Sequence, residues 1–289
     1  MRRRTVLWSM GSLAVVTVLV GGVLLFRGSD NTASVVPVPD ASSWAVNEAY
    51  GKAAPYTVPP NGKVAAGIVP HHTLVAPLIA AFFSGLDASH RPSTVVVIGP
   101  DHGNLGTAYV TTADNAWDTP DGTVLADQSI IRALVDRGVA AYDDALIRNE
   151  SGVYAMLPYL KHQLPDASVV PLAIRADLRS DRLNSLADAL AELLGPDDLV
   201  IASVDFSHYK DVVGAWSDDA VSLPVIRRLD ADAALDMPVD SPPSISLLLR
   251  YVKLRGLTYQ ELVHTNSAEF LHDLTIQSTT SYLTAYFWH

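Results

Sequence analysis

Residues 94–103 have the sequence TVVVIGPDHG, and this stretch decides the fold. The run from Thr94 to Ile98 is uncharged and mostly β-branched, which is typical of a strand buried on both faces of a parallel sheet. It ends in Gly-Pro, followed by the polar residues Asp101 and His102. In open α/β sheets, functional groups gather in the loops at the carboxyl ends of strands. The stretch therefore predicts a central strand that delivers polar side chains to a site.

The same pattern, an apolar strand followed at once by polar residues, occurs twice more. Val64–Val69 is followed by a proline and His71, and Leu199–Ser203 is followed by a loop that contains Asp205 and His208. If the three strands are parallel neighbours, these side chains face one crevice. Each histidine alone could be an ordinary surface or hydrogen-bonded residue. Three strand ends that all supply His or Asp favour a shared site.

Segments with helical periodicity lie between the predicted strands, over 74–86, 125–137 and 183–194. Two further strands are predicted near the C-terminus, over 259–265 and 280–287. Alternation of strands and helices is typical of an α/β domain. We therefore predict a mixed, largely parallel sheet flanked by helices on both faces.

Composition narrows the classes of function. The chain has 289 residues, of which 49% are hydrophobic and 18% charged, and this balance excludes a disordered chain. A formal net charge of −11 argues against nucleic-acid binding, because phosphate backbones would be repelled. The absence of cysteine excludes disulfides, thiolate zinc sites and cysteine nucleophiles. Any metal must be held by nitrogen and oxygen atoms.

The N-terminus predicts membrane attachment. Three arginines at positions 2–4 precede an uncharged run over 5–26. A helix of that length, at about 1.5 Å per residue, spans roughly 33 Å and can cross a bilayer. We expect residues 1–27 to form one N-terminal transmembrane helix, with the arginines on the cytoplasmic side. The alternative is a cleaved signal sequence, which has a shorter apolar region.

This interpretation divides the chain into three parts. The anchor over 1–27 makes the membrane a partner and places the domain on the outer face, or leads to secretion if the segment is cleaved. Residues 28–62 are rich in Pro, Ser and Ala and predict an extended tether, although its middle could pack onto the domain. Residues 63–289 are expected to form the α/β domain.

Four motifs of the predicted domain resemble the Memo family, which includes the bacterial proteins named AmmeMemoRadiSam system protein B. They are GIVPHH over 67–72, IGPDH over 98–102, LPY over 157–159 and SVDFSHY over 203–209. The resemblance extends from about Lys63 to about Phe287. It implies a fold similar to the class III extradiol dioxygenases, with a metal crevice in an α/β sheet.

The resemblance also implies a set of metal ligands. The family uses two histidines and a cysteine, and by motif His71 and His102 match the two histidines. Asp240, in the stretch VDSPPSISL over 239–247, stands at the cysteine position. Two histidines and one carboxylate suit Fe(II), which we favour, and also Zn or Mn; Cu is possible, but a carboxylate suits Cu(I) less than a thiolate. The alternative is that Asp240 caps the helix that begins near Pro242.

Three further residues have implied roles in the crevice. Asp205 and His208 match the family's Asp-Phe-x-His pair, and they are expected to transfer protons or to orient the ligands. Glu150 is what remains of a Glu-His-x-x-Glu-x-His pattern, in which this chain has Ser151, Tyr154 and Met156 instead. These replacements indicate either ordinary packing or a changed pocket in which Tyr154 supplies a hydroxyl.

Three functions are consistent with these residues. The first is a membrane-tethered, metal-dependent redox or oxygenase-like protein of the Fe(II) type, with an unidentified substrate. The second is a metal-binding or partner-binding scaffold without catalysis, and the third is a metal-dependent hydrolase. The crevice is expected to bind a small molecule or a protein partner. The sequence leaves open whether the protein is an enzyme.

Overall fold

The structure is a computed structural model, which describes residues 34–39, 41–58, 62–86 and 91–289. Its strands are β1 (Val35–Pro37), β2 (Val64–Val69), β3 (Thr94–Pro100), β4 (Val110–Thr112), β5 (Ala116–Thr119), β6 (Gly122–Val124), β7 (Ala141–Tyr142), β8 (Ser168–Ile174), β9 (Leu199–Ser203), β10 (His208–Lys210), β11 (Thr258–Asn266) and β12 (Thr279–Trp288). Its α-helices are α1 (Ser43–Lys52), α2 (Ala76–Ser84), α3 (Gln128–Asp136), α4 (Asp144–Asn149), α5 (Ser151–Tyr154), α6 (Leu157–Gln163), α7 (Ser180–Leu193), α8 (Val212–Arg227), α9 (Pro242–Arg255) and α10 (Ser267–Phe270). Short 3-10 helices cover Thr73–Val75 and Ala233–Asp236.

A nine-stranded sheet forms the centre of the fold. Its strand order is β10-β12-β2-β9-β3-β8-β4-β7, and β11 pairs with β12 outside this path. The four central strands β2, β9, β3 and β8 run parallel to one another. A separate small sheet has the order β1-β5-β6. The three predicted strands that precede polar loops are therefore direct neighbours in the sheet.

The sheet is buried on both faces because side chains alternate along each central strand. On β3, Val95 and Val97 belong to one core cluster, whereas Val96 and Ile98 belong to the other. Helices α3, α7 and α9 contribute buried residues to the cluster that contains Ile98. Helices α2, α5 and α6 contribute to the cluster that contains Val97. Helices thus cover both faces of the sheet.

The prediction of a largely parallel sheet is wrong, because four of the eight strand pairings in the nine-stranded sheet are antiparallel. Strand β12 pairs antiparallel with β2, β10 and β11, and β4 pairs antiparallel with β8. Residues 267–278 connect β11 to β12 and include the four-residue helix α10, and the two strands pair in antiparallel register, from Thr258 opposite Trp288 to Asn266 opposite Ser281. The C-terminal strands therefore return along the sheet as a hairpin.

The predicted fold class also included a membrane-spanning helix. Among the described residues, no helix combines the length and the hydrophobicity needed to cross a bilayer. The strongly apolar helix α2 has nine residues, whereas a span requires about 20, and α2 is buried in the core instead. This finding corrects the predicted transmembrane helix, and with it the membrane-anchored, outer-face localisation and the membrane as a partner. The residues on which the anchor was predicted, 1–27, lie outside the described part of the chain.

The segment before β2 contains regular structure. The side chain of Ser42 caps helix α1 by accepting a hydrogen bond from Ala45 N at 3.1 Å. Val46 and Ala49 of this helix are buried. Strand β1 pairs in parallel with β5. These elements lie inside the stretch for which a tether was predicted, over 28–62.

A partly buried ion pair links α8 to the C-terminal hairpin. Asp219 of α8 accepts hydrogen bonds from Ser281 Oγ at 2.7 Å and from His264 Nε2 at 2.9 Å. Asp219 is 2% exposed, and His264 on β11 is partly buried. The hydrogen bond from His264 to Asp219 raises the pKa of His264 above its ordinary value of 6.5.

We expect this pair to stabilise the fold in a pH-dependent way. A raised pKa in the folded state means that protonated His264 contributes its stabilisation fully below pH 6.5 and loses it as the pH rises through the folded-state pKa. His264→Gln should therefore lower the free energy of unfolding by on the order of 1 kcal/mol at pH 6, and by less at pH 8.5. Urea titrations of both proteins at the two pH values measure the difference. An equal loss at both pH values would contradict the assignment.

Candidate metal centre

The site lies where the carboxyl ends of three neighbouring strands meet. In the register of the sheet, Val69 of β2 lies opposite Ser203 of β9, so the loops that follow both strands begin at the same level. Strand β3 pairs with the other side of β9. His71, Asp205 and His102 each lie two residues beyond the end of their strand. The convergence predicted from the sequence therefore occurs.

His71 is buried, and its ring is held in one tautomer. Its Nδ1 lies 3.2 Å from the carbonyl oxygen of Ser203, which can only accept, so Nδ1 carries the proton. The backbone N–H of His71 donates to Asp205 Oδ1 at 3.1 Å. Burial lowers the pKa of His71 and favours the neutral ring. Its Nε2 keeps a lone pair and lies 3.3 Å from Asp240 Oδ2.

His102 is oriented by Glu150, the N-cap residue of α5. Its Nδ1 donates to Glu150 Oε1 at 2.5 Å, and its backbone N–H donates to Glu150 Oε2 at 3.0 Å. The hydrogen bond to Glu150 raises the pKa of His102, whereas burial acts in the opposite direction. The remaining ring nitrogen, Nε2, lies 3.9 Å from Asp240 Oδ2. The His71 and His102 rings are perpendicular, with centroids 5.1 Å apart.

Two glycines let Glu150 approach His102. Gly99, near the end of β3, packs against the backbone of Gly152 in α5. A Cβ atom at position 99 would lie 2.9 Å from the carbonyl carbon of Gly152, and one at position 152 would lie 2.5 Å from Pro100 Cδ. Real Cβ atoms do not approach backbone so closely. The pair therefore brings Glu150, which caps α5, within hydrogen-bonding distance of the strand-end histidine.

Asp240 joins the histidines from the loop before α9. Its backbone N–H donates to the Asp205 carbonyl at 3.1 Å, and its Oδ2 accepts from the Asp205 backbone N–H at 3.2 Å. The side chain is 8% exposed, and its Oδ1 has no hydrogen-bond partner in the described part of the chain. Burial and the nearby Asp205 carboxylate raise the pKa of Asp240 well above its ordinary value. The N-cap position of α9 is occupied by Ser241.

These residues fit a divalent cation. One ligand atom each from His71, His102 and Asp240 lie within 4.8 Å of one another. Nitrogen and oxygen ligands bind such ions at about 2.0–2.2 Å, so the ligand atoms of one ion lie about 3–4 Å apart. A cation would also balance the charge of the buried Asp240 carboxylate. Without a partner, this charge and the unpaired Oδ1 atom lower the stability of the fold. The donor set of nitrogen and oxygen suits Fe(II), Mn and Zn.

Asp205 and His208 lie beside this set. With Asp240 they form a second group whose ligand atoms are within 4.8 Å of one another. Asp205 is buried and fixes the His71 backbone, whereas His208 is partly exposed at the start of β10. Burial lowers the pKa of His208, so the neutral imidazole is favoured. The structure thus brings together all six residues that the sequence selected, including Glu150.

A cavity of about 770 Å³ opens onto the site. His71, His102, Asp205 and His208 line its polar part. Residues that the sequence did not select contribute the rest, among them small apolar side chains of α1 and of the residues before it, together with Glu48 and Lys52 of α1. Tyr154 also lines the cavity, whereas Met156 is fully buried in the core. The stretch that departs from the expected histidine-rich pattern is therefore part pocket and part packing.

Glu150 should act on metal binding through His102. Glu150→Gln removes the charge that orients the ring, and partners of this kind typically account for about tenfold to 100-fold in metal affinity. We expect the affinity for Co²⁺ to fall about tenfold at pH 8 and the pKa of His102 to fall in the metal-free protein. Competition with a chromophoric chelator and NMR titration of the ring measure the two effects. Glu192→Gln, which removes a surface partner of Arg137, is the matched control. Unchanged values for both quantities would show that Glu150 does not support the ligand.

A family model, related sequences and a solved structure are similar to this chain. A family model described as Memo-like protein matches residues 44–282 of this chain. A MEMO1 family protein of Desulfurococcus amylolyticus is 27% identical over 215 residues, covering 68% of this chain and 76% of that protein. The MEMO1 family protein MK0963 of Methanopyrus kandleri is 32% identical over 176 residues, covering 59% and 62%. The crystal structure of the uncharacterized protein JW3007 from Escherichia coli K12 is similar in fold, with a TM-score of 0.52 at 15% identity, covering 78% of this chain and 99% of that chain.

Proposed function

Because this chain belongs to the Memo-like protein family, as its motifs predicted, we propose that it is a metal-dependent redox protein whose ion is held by His71, His102 and Asp240. The observation that carries the proposal is the arrangement around Asp240. The Nδ1 atoms of both histidines are already hydrogen-bonded, so their Nε2 atoms face the site. The Nε2 atoms of His71 and His102 lie 3.3 and 3.9 Å from Asp240 Oδ2. Two histidines and one carboxylate are the ligand set of non-haem Fe(II) oxygenases.

The neighbouring residues support chemistry beside the ion. A ferrous ion bound there would supply electron transfer and activation of molecular oxygen. His208 is favoured as the neutral imidazole, lines the cavity and is placed to accept a proton from a bound molecule. Asp205 holds the His71 backbone through Oδ1 and lies 3.8 Å from His71 Nε2 through Oδ2. Asp205 therefore positions the ligand set, and His208 moves the proton.

The first test of this function uses the full chain, purified without chelators and without a histidine tag. Elemental analysis is expected to give close to one equivalent of a divalent metal per chain. After anaerobic loading with Fe(II), addition of air and ascorbate should give oxygen consumption above that of the same concentration of free Fe(II). Bound metal without extra oxygen consumption would overturn the redox part of the proposal and favour a scaffold or a hydrolase. No bound metal, even after loading, would overturn the proposal entirely.

A further inference from the structure

The cavity that opens onto the ligand cluster has an apolar side made by the N-terminal part of the described chain. We name this surface the α1 wall and define it by its residues: Val38, Ala41, Ala45, Val46 and Ala49. Ala45 and Ala49 are four positions apart on α1 and share one face of the helix. All five side chains are small and uncharged. The same segment also lines the cavity with Ser42, Glu48 and Lys52, which are not part of the wall.

The α1 wall is built into the fold. Tyr50, which follows the wall on the same helix, donates a hydrogen bond from its hydroxyl to the Tyr159 carbonyl at 2.9 Å. The Tyr50 ring stacks on His162, with ring centroids 4.1 Å apart. At the other end of the wall, the backbone N–H of Val38 donates to the Asp118 carbonyl at 3.1 Å. The wall is therefore held in place at both ends.

The two sides of the cavity differ in chemistry. One side presents imidazoles and a carboxylate, from His71, His102, His208 and Asp205, whereas the α1 wall presents only methyl and isopropyl groups. A volume of about 770 Å³ lies within the roughly 300–1,000 Å³ of sites that bind organic ligands, and it exceeds what a small inorganic molecule needs. A ligand that fills this space must satisfy both sides.

We propose that the α1 wall selects the ligand of the metal centre, which is a small organic molecule with an oxygen-donor head group and an uncharged apolar body. The head group lies at the ligand cluster and the body lies along Ala45 and Ala49. The proposal rests on the proposed metal site and adds the class of molecule that reaches it. A charged body is disfavoured, because the five residues of the α1 wall are apolar and the two charged residues of α1 that also line the cavity, Glu48 and Lys52, pair with each other at 2.6 Å.

Two hydroxamates with the same head group test this inference. Acetohydroxamate and octanohydroxamate differ only in their apolar body, and both bind metal ions through two oxygens. Titrated into the Co²⁺-loaded full chain and followed by the visible absorption of Co²⁺, octanohydroxamate should bind at least tenfold more tightly, because its chain loses contact with water on the α1 wall. Ala45→Glu should remove this advantage and leave the affinity for acetohydroxamate and the Co²⁺ content unchanged.

Asn47→Glu is the matched control, since it adds the same charge to the same helix at an exposed position that does not line the cavity. It should retain the tenfold advantage. If Ala45→Glu does not fold, Ala45→Gln provides the same comparison without a charge. Equal affinities for the two hydroxamates in the unmodified protein, with Co²⁺ bound, would overturn this inference and leave the metal site intact. Failure to bind Co²⁺ at all would overturn both.

Discussion

Replacing His71 and His102 together by alanine is expected to reduce the bound metal from about one equivalent to less than a tenth of an equivalent per chain. The two side chains supply the nitrogen atoms of the first ligand group, and without them that group keeps only the carboxylate of Asp240, which does not retain a divalent ion through purification. Elemental analysis of the purified proteins measures the loss. Oxygen consumption after loading with Fe(II) should fall to the level of free Fe(II) in the same variant.

His72→Ala is the control that makes this result specific. His72 is the next residue after His71, lines the same cavity and bonds Tyr282 through its Nδ1 at 2.6 Å, but it belongs to neither group of candidate ligands. This variant should keep its metal. Near-stoichiometric metal in the double alanine variant, with an unchanged circular dichroism spectrum, would show that the ion is held elsewhere.

Asp240→Asn is expected to lower the affinity for divalent metals by at least 100-fold, or about 2.7 kcal/mol, because the ion loses its charged oxygen ligand. The metal-free variant should be at least as stable as the parent protein, since a neutral amide replaces a buried carboxylate that has an unpaired oxygen. Competition with a chelator gives the affinity, and urea unfolding in the presence of EDTA gives the stability. The affinity should therefore fall without a loss of stability in the metal-free protein.

Asp240→Cys extends the same test to the choice of metal. A thiolate at this position should raise the preference for softer ions such as Cd²⁺ relative to Mn²⁺. Asp236→Asn, at an exposed carboxylate shortly before the site in the chain, should change neither metal content nor metal preference. A metal profile that is the same in the parent protein and in both Asp240 variants would remove Asp240 from the ligand set.

The centre of the sheet could be predicted from the sequence because its signal is local. Strands such as β3 and β9 are short, uncharged and rich in β-branched residues, which is the pattern of strands buried on both faces. Strands β11 and β12 were also located, but their direction depends on pairing between distant segments. The sequence indicated that the middle of the predicted tether could pack onto the domain, but it did not indicate that helix α1 lines the cavity, because the proline, serine and alanine around it are typical of a linker.

The residues of the candidate site also differ in whether the sequence alone could reveal them. His71, His102 and Asp205 could be selected from the residues alone, since each directly follows a buried strand. Asp240 follows no strand, and only the family resemblance pointed to it. The contact between Glu150 and His102 depends on the approach of Gly99 to Gly152 across the fold. Such a contact between segments far apart in sequence leaves no periodic signal.

The assembly of the ligands from separate strand ends has a thermodynamic consequence. His71 and Asp205, which fixes its backbone, are 134 positions apart in the chain, so the unfolded polypeptide has no cluster to offer. An ion that binds only the folded state stabilises it by about 1.4 kcal/mol for each tenfold rise of free metal above the dissociation constant. The melting temperature of this protein should therefore depend on the concentration of free metal. Depletion of the proposed ion should lower the free energy of unfolding in the same proportion.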